Sequence, residues 1–208
     1  MKSTIACSLL GAPLVAALVA TAAMALEAPT PGRPAPDFTA TDSSGKPVTL
    51  SGLKGKTVVL EWTNHDCPYV RKHYGTGTMQ KLQADATRQG VVWLTVVSSA
   101  PGTQGHVKGL EADKLTADRK ASPTSVLLDE QGTVGRLYGA TTTPHMFIVD
   151  AKGTLVYRGG IDDQPSTNPE TIKGARPFVR EALDALAKGE PVKTASTRPY
   201  GCSVKYTN

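Results

Sequence analysis

Residues 58–73, Val-Val-Leu-Glu-Trp-Thr-Asn-His-Asp-Cys-Pro-Tyr-Val-Arg-Lys-His, constrain the fold more than any other stretch of the chain. The apolar run reads as a buried strand, the polar residues after it as a tight turn, and Pro68 as the opening of a helix, where a missing N–H costs nothing. Cys67 therefore stands at a strand-to-helix turn, where unpaired backbone N–H groups converge. Their partial positive charge lowers a thiol pKa and favours the thiolate, the form that attacks. A buried, inert thiol is the structural alternative. The helix-start position makes thiol chemistry at Cys67 the leading expectation.

Lys2, the apolar run 9–19 and Ala23-Met24-Ala25 form the pattern of a secretory signal peptide over residues 1–25, cleaved after Ala25 and taking Cys7 with it. Gly11 and Pro13 interrupt the run, so no stable membrane insertion is expected after cleavage, and the mature protein is expected to be periplasmic or secreted. It retains two cysteines, Cys67 and Cys202, in an oxidising compartment where a pair is either a static disulfide or a working redox couple. The formal net charge is +5 at pH 7, one unit of it on Lys2. The basic residues are scattered with no interleaved aromatics, which argues against nucleic acid as a partner.

In chain order, residues 26–36 are proline-dense and expected to be an extended leader. Residues 38–41 and 47–50 flank a Gly-containing turn and read as a hairpin. A loop over 51–56 leads into the buried strand 57–62. A helix in two pieces between 68 and 88, broken at 75–77, precedes a second buried strand at 91–97. Residues 107–117 suit a short helix, 125–129 a third strand and 133–138 a helical turn. The segments 145–150 and 154–158 form an antiparallel hairpin, and 177–188 is an amphipathic helix ending at Gly189. Asp162-Asp163 reads as a solvated turn. The layout is one α/β domain over 37–188, a mixed sheet with flanking helices and an N-terminal β-hairpin, followed by a tail over 189–208 that carries Cys202.

Ala35-Pro36-Asp37-Phe38, the strand-turn-Cys67 unit and Thr142-Thr143-Pro144-His145-Met146-Phe147-Ile148-Val149-Asp150-Ala151-Lys152-Gly153 follow one another across residues 34–188. Together they resemble the thioredoxin fold, and within it the exported redoxins related to peroxiredoxins, the alkyl hydroperoxide reductase and thiol-specific antioxidant family. The resemblance implies three roles. Cys67 matches the thiolate that attacks a disulfide or peroxide. Pro144 matches the proline that follows a threonine-like residue across a cis peptide and lies against the reactive sulfur. Glu61 matches a buried acid that helps move protons. Members of the group often end in a Gly-Cys segment, which makes Cys202 the candidate resolving partner, as against an exposed or statically bridged tail cysteine. Its Cα must then lie within about 7 Å of that of Cys67.

The departures from the pattern matter as much. Val70 stands where a CxxC motif has its second cysteine, so Cys67 has no resolving partner in its own loop. Leu60 and Asn64 occupy the places of the proline and hydroxyl residue of the peroxiredoxin signature, and Thr63 falls one residue early, so no peroxidase site is carried over. The expected function is an exported thiol–disulfide oxidoreductase without a cofactor. Cys67 is its nucleophile, Cys202 or an external thiol reductant resolves it, and a protein or small-molecule disulfide or a peroxide is the substrate. A peroxiredoxin-like thiol peroxidase with an antioxidant role is the second reading. A copper-binding module using His65, Cys67 and His73 is the third, although that spacing is not a specific ligand pattern.

Overall fold

The computed structural model describes residues 28–207; the signal peptide expected over 1–25 lies outside them. The main sheet is built around β3 (Val58–Trp62), every residue of which is buried. Its parallel neighbour is β4 (Val92–Val97), and its antiparallel neighbour is β7 (His145–Val149), with Trp62 opposite His145. Beyond β4 lie β5 (Ser125–Leu128) and the hairpin of β1 (Thr39–Asp42) and β2 (Pro47–Thr49), and beyond β7 lies β8 (Leu155–Gly159). The resulting order is β2-β1-β5-β4-β3-β7-β8, a mixed sheet of seven strands.

The near-continuous apolar run of β3 follows from cover on both faces. Side chains alternate along the strand, so Val58, Leu60 and Trp62 enter one core with Leu94, Val96, Tyr138 and Phe147. The Trp62 ring meets Phe147 edge-on at 5.1 Å. Val59 enters the other core, which also holds Cys67, Met146, Ile148 and the apolar faces of three helices. These are α1 (Pro68–Gly75), α2 (Thr78–Arg88) and α5 (Phe178–Ala187). Each fully buried aliphatic or aromatic side chain contributes roughly 1.5–3 kcal/mol, enough for a core of this size to hold without covalent staples. Helices α3 (Gly109–Asp118) and α4 (Thr133–Tyr138) complete the layers. Among the described residues no helix is long and apolar enough to cross a membrane.

The expected strands and helices appear with ends moved by a residue or two. The loop expected over 51–56 instead begins as a turn of 3-10 helix, Leu50–Leu53, closed when Lys54 N–H donates to Ser51 O. The leader is joined to the sheet edge but is not extended throughout, because Arg33 N–H donates to Thr30 O at 3.2 Å and Gly32, at φ +87°, turns the chain there. Gly32 N–H donates to Leu155 O at 2.8 Å, and Leu155 N–H donates to Arg33 O at 2.9 Å. A proline-rich segment is tolerated at such an edge because only one side of it must pair.

The tail folds back across the domain. Arg158 N–H donates to Ala195 O, and Thr197 N–H donates to Arg158 O, which lays residues 195–197 along β8. Further on, β9 (Cys202–Ser203) pairs antiparallel with β6 (Thr142–Thr143), with Cys202 opposite Thr143. The tail is then tied down by Val204 N–H to Thr141 O and by Tyr206 Oη to Ala140 O. Gly201 makes the crossing possible. Its φ is +140°, and a Cβ there would sit 2.0 Å from Thr143 O. Only glycine occupies that backbone region without strain of about 1–3 kcal/mol. Gly201→Ala is therefore expected to unseat the tail while leaving the sheet folded, so that Cys67 alkylates roughly tenfold faster or more at unchanged far-UV dichroism. An alkylation rate equal to that of the wild type would contradict this.

Candidate functional site

The turn after β3 is set by Asn64. Its Oδ1 accepts from Asp66 N–H at 2.9 Å, its backbone carbonyl accepts from Cys67 N–H at 3.0 Å, and its Nδ2 donates to Gln104 O. The residue that breaks the peroxiredoxin pattern is thus the one that shapes this turn. Cys67 is the N-cap of α1 in extended backbone conformation, with Pro68 at the first helical position.

The Cys67 side chain is buried, and its thiol donates to Thr143 O at 3.0 Å. The Thr143–Pro144 peptide is cis, as the resemblance implies, and Pro144 is buried beside it. Strand β9 delivers Cys202 to the same place, and Cys202 packs on the cluster that contains Cys67. Both thiols are free. Their acidities move in opposite directions. Burial opposes ionisation of Cys67, but hydrogen bonds from the Cys202 side chain, from Val70 N–H and from Cys202 N–H outweigh it and lower the Cys67 pKa. Burial, then the hydrogen bond and charge of the Cys67 sulfur, push Cys202 up to about 11, and Lys205 pulls the other way. The pair therefore loses its first proton at Cys67.

Glu61 lies on β3 in a closed polar pocket. Its carboxylate accepts from Tyr74 Oη at 2.8 Å, Gln83 Nε2 at 3.0 Å, Trp93 Nε1 at 2.8 Å and Thr95 Oγ1 at 3.4 Å. Burial raises its pKa against those hydrogen bonds and the charge of Arg119. None of its hydrogen bonds goes to Cys67. The three residues of the copper reading are likewise apart in what they face. His65 Nε2 lies 3.4 Å from Asp66, Cys67 bonds to Thr143 O, and His73 Nε2 faces Tyr200 Oη at 3.2 Å. Among the described residues no three His, Cys, Asp or Glu side chains are grouped to hold a metal ion.

Asp162 corrects the expectation of a solvated turn: it is 5% exposed. It accepts a short hydrogen bond from Tyr200 Oη and lies 3.8 Å from His73 Nε2. Lys72 Nζ, also buried, donates to Gln164 O at 2.9 Å and lies 5.3 Å from the centre of the Tyr200 ring. The tail covers this group, which is why nothing near Asp162 in the sequence announces it. The available signal is the aromatic Tyr200 in the tail motif Pro-Tyr-Gly-Cys.

Residues 31–158 match the model of the AhpC/TSA family. The chain belongs to that family. This AhpC/TSA domain has the thioredoxin-like fold, and Glu61, Cys67 and Pro144 lie inside the match, whereas Asp162, Tyr200 and Cys202 lie beyond its end. Among solved structures, an uncharacterised conserved protein from Geobacillus kaustophilus is 28% identical with a TM-score of 0.73, over 85% of this chain and 92% of that one. A hypothetical protein from Sinorhizobium meliloti 1021 is 24% identical with a TM-score of 0.72, over 87% and 97%. A putative thiol:disulfide interchange protein DsbE from Chlorobium tepidum is 25% identical with a TM-score of 0.55, over 78% and 98%. No curated protein matches the chain significantly.

Burial also fixes the charge state of two imidazoles. Desolvation lowers His73 to about 4 against the attraction of Asp162, and desolvation with Arg158 lowers His145 to about 3. An unfolded imidazole binds its proton near pH 6.5, so as pH falls from there toward 4 the unfolded state takes up protons that the native state refuses. Stability is lost in that window, by roughly 3 kcal/mol for His73 at about 1.4 kcal/mol per unit. Glu61, whose pKa is raised, opposes this trend above its unfolded value. A proton NMR titration is expected to find both rings neutral at pH 5.5. A midpoint near 6.5 for either would overturn the assignment.

Proposed function

We propose that this AhpC/TSA protein is an exported thiol–disulfide oxidoreductase that works through a Cys67–Cys202 cycle. The observation that carries the reading is the β6–β9 pair, which seats a second thiol beside Cys67 although the local CxxC partner is absent. In the first step the Cys67 thiolate attacks a disulfide RS–SR′, forming Cys67–S–SR and releasing R′S⁻. That bond removes the negative charge that held the Cys202 proton, so the Cys202 thiol becomes easier to ionise when it is needed. Its thiolate then attacks the Cys67 sulfur, releases RS⁻ and leaves a Cys67–Cys202 disulfide. An external thiol reductant returns the pair to the dithiol.

In this reading Pro144 fixes the Thr143 carbonyl that meets the sulfur. Glu61 acts from a distance, tying α1, α2 and β4 to β3 through its four partners. The signal-peptide pattern over residues 1–25 supports export. A thiol peroxidase is the second reading, favoured by the AhpC/TSA match. There the Cys67 thiolate takes the terminal oxygen of a hydroperoxide to give a sulfenic acid and an alcohol. Cys202 condenses with that acid, releasing water.

Intact mass after thiol trapping tests the cycle. One equivalent of a small disulfide is expected to remove both alkylatable thiols from the wild type and to leave Cys202→Ser as a stable mixed disulfide at Cys67. Two thiols that stay free, or a mixed disulfide that persists in the wild type, would overturn the two-cysteine reading. Hydrogen peroxide in place of the disulfide separates the readings: rapid sulfenylation of Cys67 in Cys202→Ser favours the peroxidase.

A further inference from the structure

The group around Tyr200 is bonded more heavily than the seating of a surface tail requires. Tyr200 has one phenolic proton, and it goes to Asp162 Oδ1. Its oxygen then accepts from the neighbours that remain, His73 Nε2 at 3.2 Å and Lys72 Nζ at 3.5 Å. The imidazole of His73 accordingly carries its proton on Nε2. The Tyr200 and Tyr69 rings also pack edge to face, with centroids 5.8 Å apart.

Tyr69, Lys72 and His73 all lie on α1, the helix whose N-cap is Cys67. One rigid helix therefore carries the nucleophile at its start and the docking groups for Tyr200 on the turns that follow. Tyr200 is separated from Cys202 only by Gly201, the residue that crosses within contact of Thr143 O. On the far side of Cys202 the chain is held independently by Ala100 N–H to Lys205 O and by Tyr206, whose ring fills the space above Gly132 and Gly135. Backbone pairing with β6 sets which residue faces Thr143. It does not by itself fix the distance of the second sulfur from α1.

We propose that Tyr200, held by Asp162, His73 and Lys72, is a positioning residue that fixes Cys202 relative to Cys67 and so sets the rate of intramolecular disulfide closure. This rests on the two-cysteine cycle proposed above. The chemical step is the attack of the Cys202 thiolate on Cys67–S–SR with departure of RS⁻. Such a displacement depends steeply on the placement of the incoming sulfur, and a misplacement of about 1 Å costs on the order of a hundredfold.

The test uses the reduced, signal-free protein mixed with one equivalent of a symmetric aromatic disulfide whose thiolate is coloured. The first thiolate released reports attack by Cys67 and the second reports ring closure, with intact mass identifying the product. The wild type is expected to release two equivalents in two phases, and Cys202→Ser one. Tyr200→Phe keeps the ring against Tyr69 and loses only the hydroxyl. It should keep the first phase within about twofold and slow the second roughly tenfold or more. Asp162→Asn is expected to slow the same phase, and the double variant to be no slower than the worse single one, because both act through one contact. A general loosening of the tail would instead accelerate the first phase, as in Gly201→Ala. A second phase of wild-type speed in Tyr200→Phe would overturn the positioning role and leave the cycle standing. A single equivalent released by the wild type would remove the cycle, and this inference with it.

Discussion

The pairing of β3 with β7 is the constraint on which the site depends. The two strands run antiparallel with Trp62 opposite His145, so the end of β3 lies beside the beginning of β7. The chain leaves β3 toward Cys67 and enters β7 from Thr143–Pro144, and this register brings the Cys67 thiol to the Thr143 carbonyl. A slip of one residue would move Glu61 into the aromatic core and turn the Cys67 loop away. The parallel partner β4 ends at the same side of the sheet, and the loop after it receives the tail at Ala100. Loops at the carboxyl ends of parallel strands are the usual place for chemistry in open α/β sheets, because the strands fix them from below.

Around the sulfur, donors and an acceptor are set against each other. In the neutral form the Cys67 thiol has a carbonyl to donate to, and in the ionised form it has backbone N–H groups and the Cys202 thiol to accept from. Two protonation states are thus both solvated by protein, which suits a group that must alternate between them. The proton asymmetry of the pair has the same origin. Two thiols at one site cannot both ionise cheaply, so lowering one raises the other.

Two buried carboxyl groups frame the site and are handled alike. Each would be expensive without partners, and each is given several. Glu61 receives four hydrogen bonds from α1, α2 and β4, whereas Asp162 receives the phenol of Tyr200 and the backbone N–H of Gln164 and faces His73. The first ties the helix that carries Cys67 to the sheet, and the second ties that helix to the tail that carries Cys202.

Features that depend on neighbouring residues were legible in the chain before folding. The apolar run 58–62, the polar turn, Pro68 after Cys67 and the 145–158 hairpin announce their own conformations through periodicity and turn chemistry, and they place Cys67 on the correct structural feature. Glu61 could be flagged as a charge within that run, yet its partners Tyr74, Gln83 and Trp93 are scattered along the chain and only the packed helices assemble them. Long-range packing alone sets Cys202 against Thr143 beside Cys67, buries Asp162, and gives His65, Cys67 and His73 different surroundings. The difference is one of range. A strand of two residues such as β9 has no periodicity to read, and its position follows from long-range pairing and from a steric gap at Gly201 that exists only once β6 is in place.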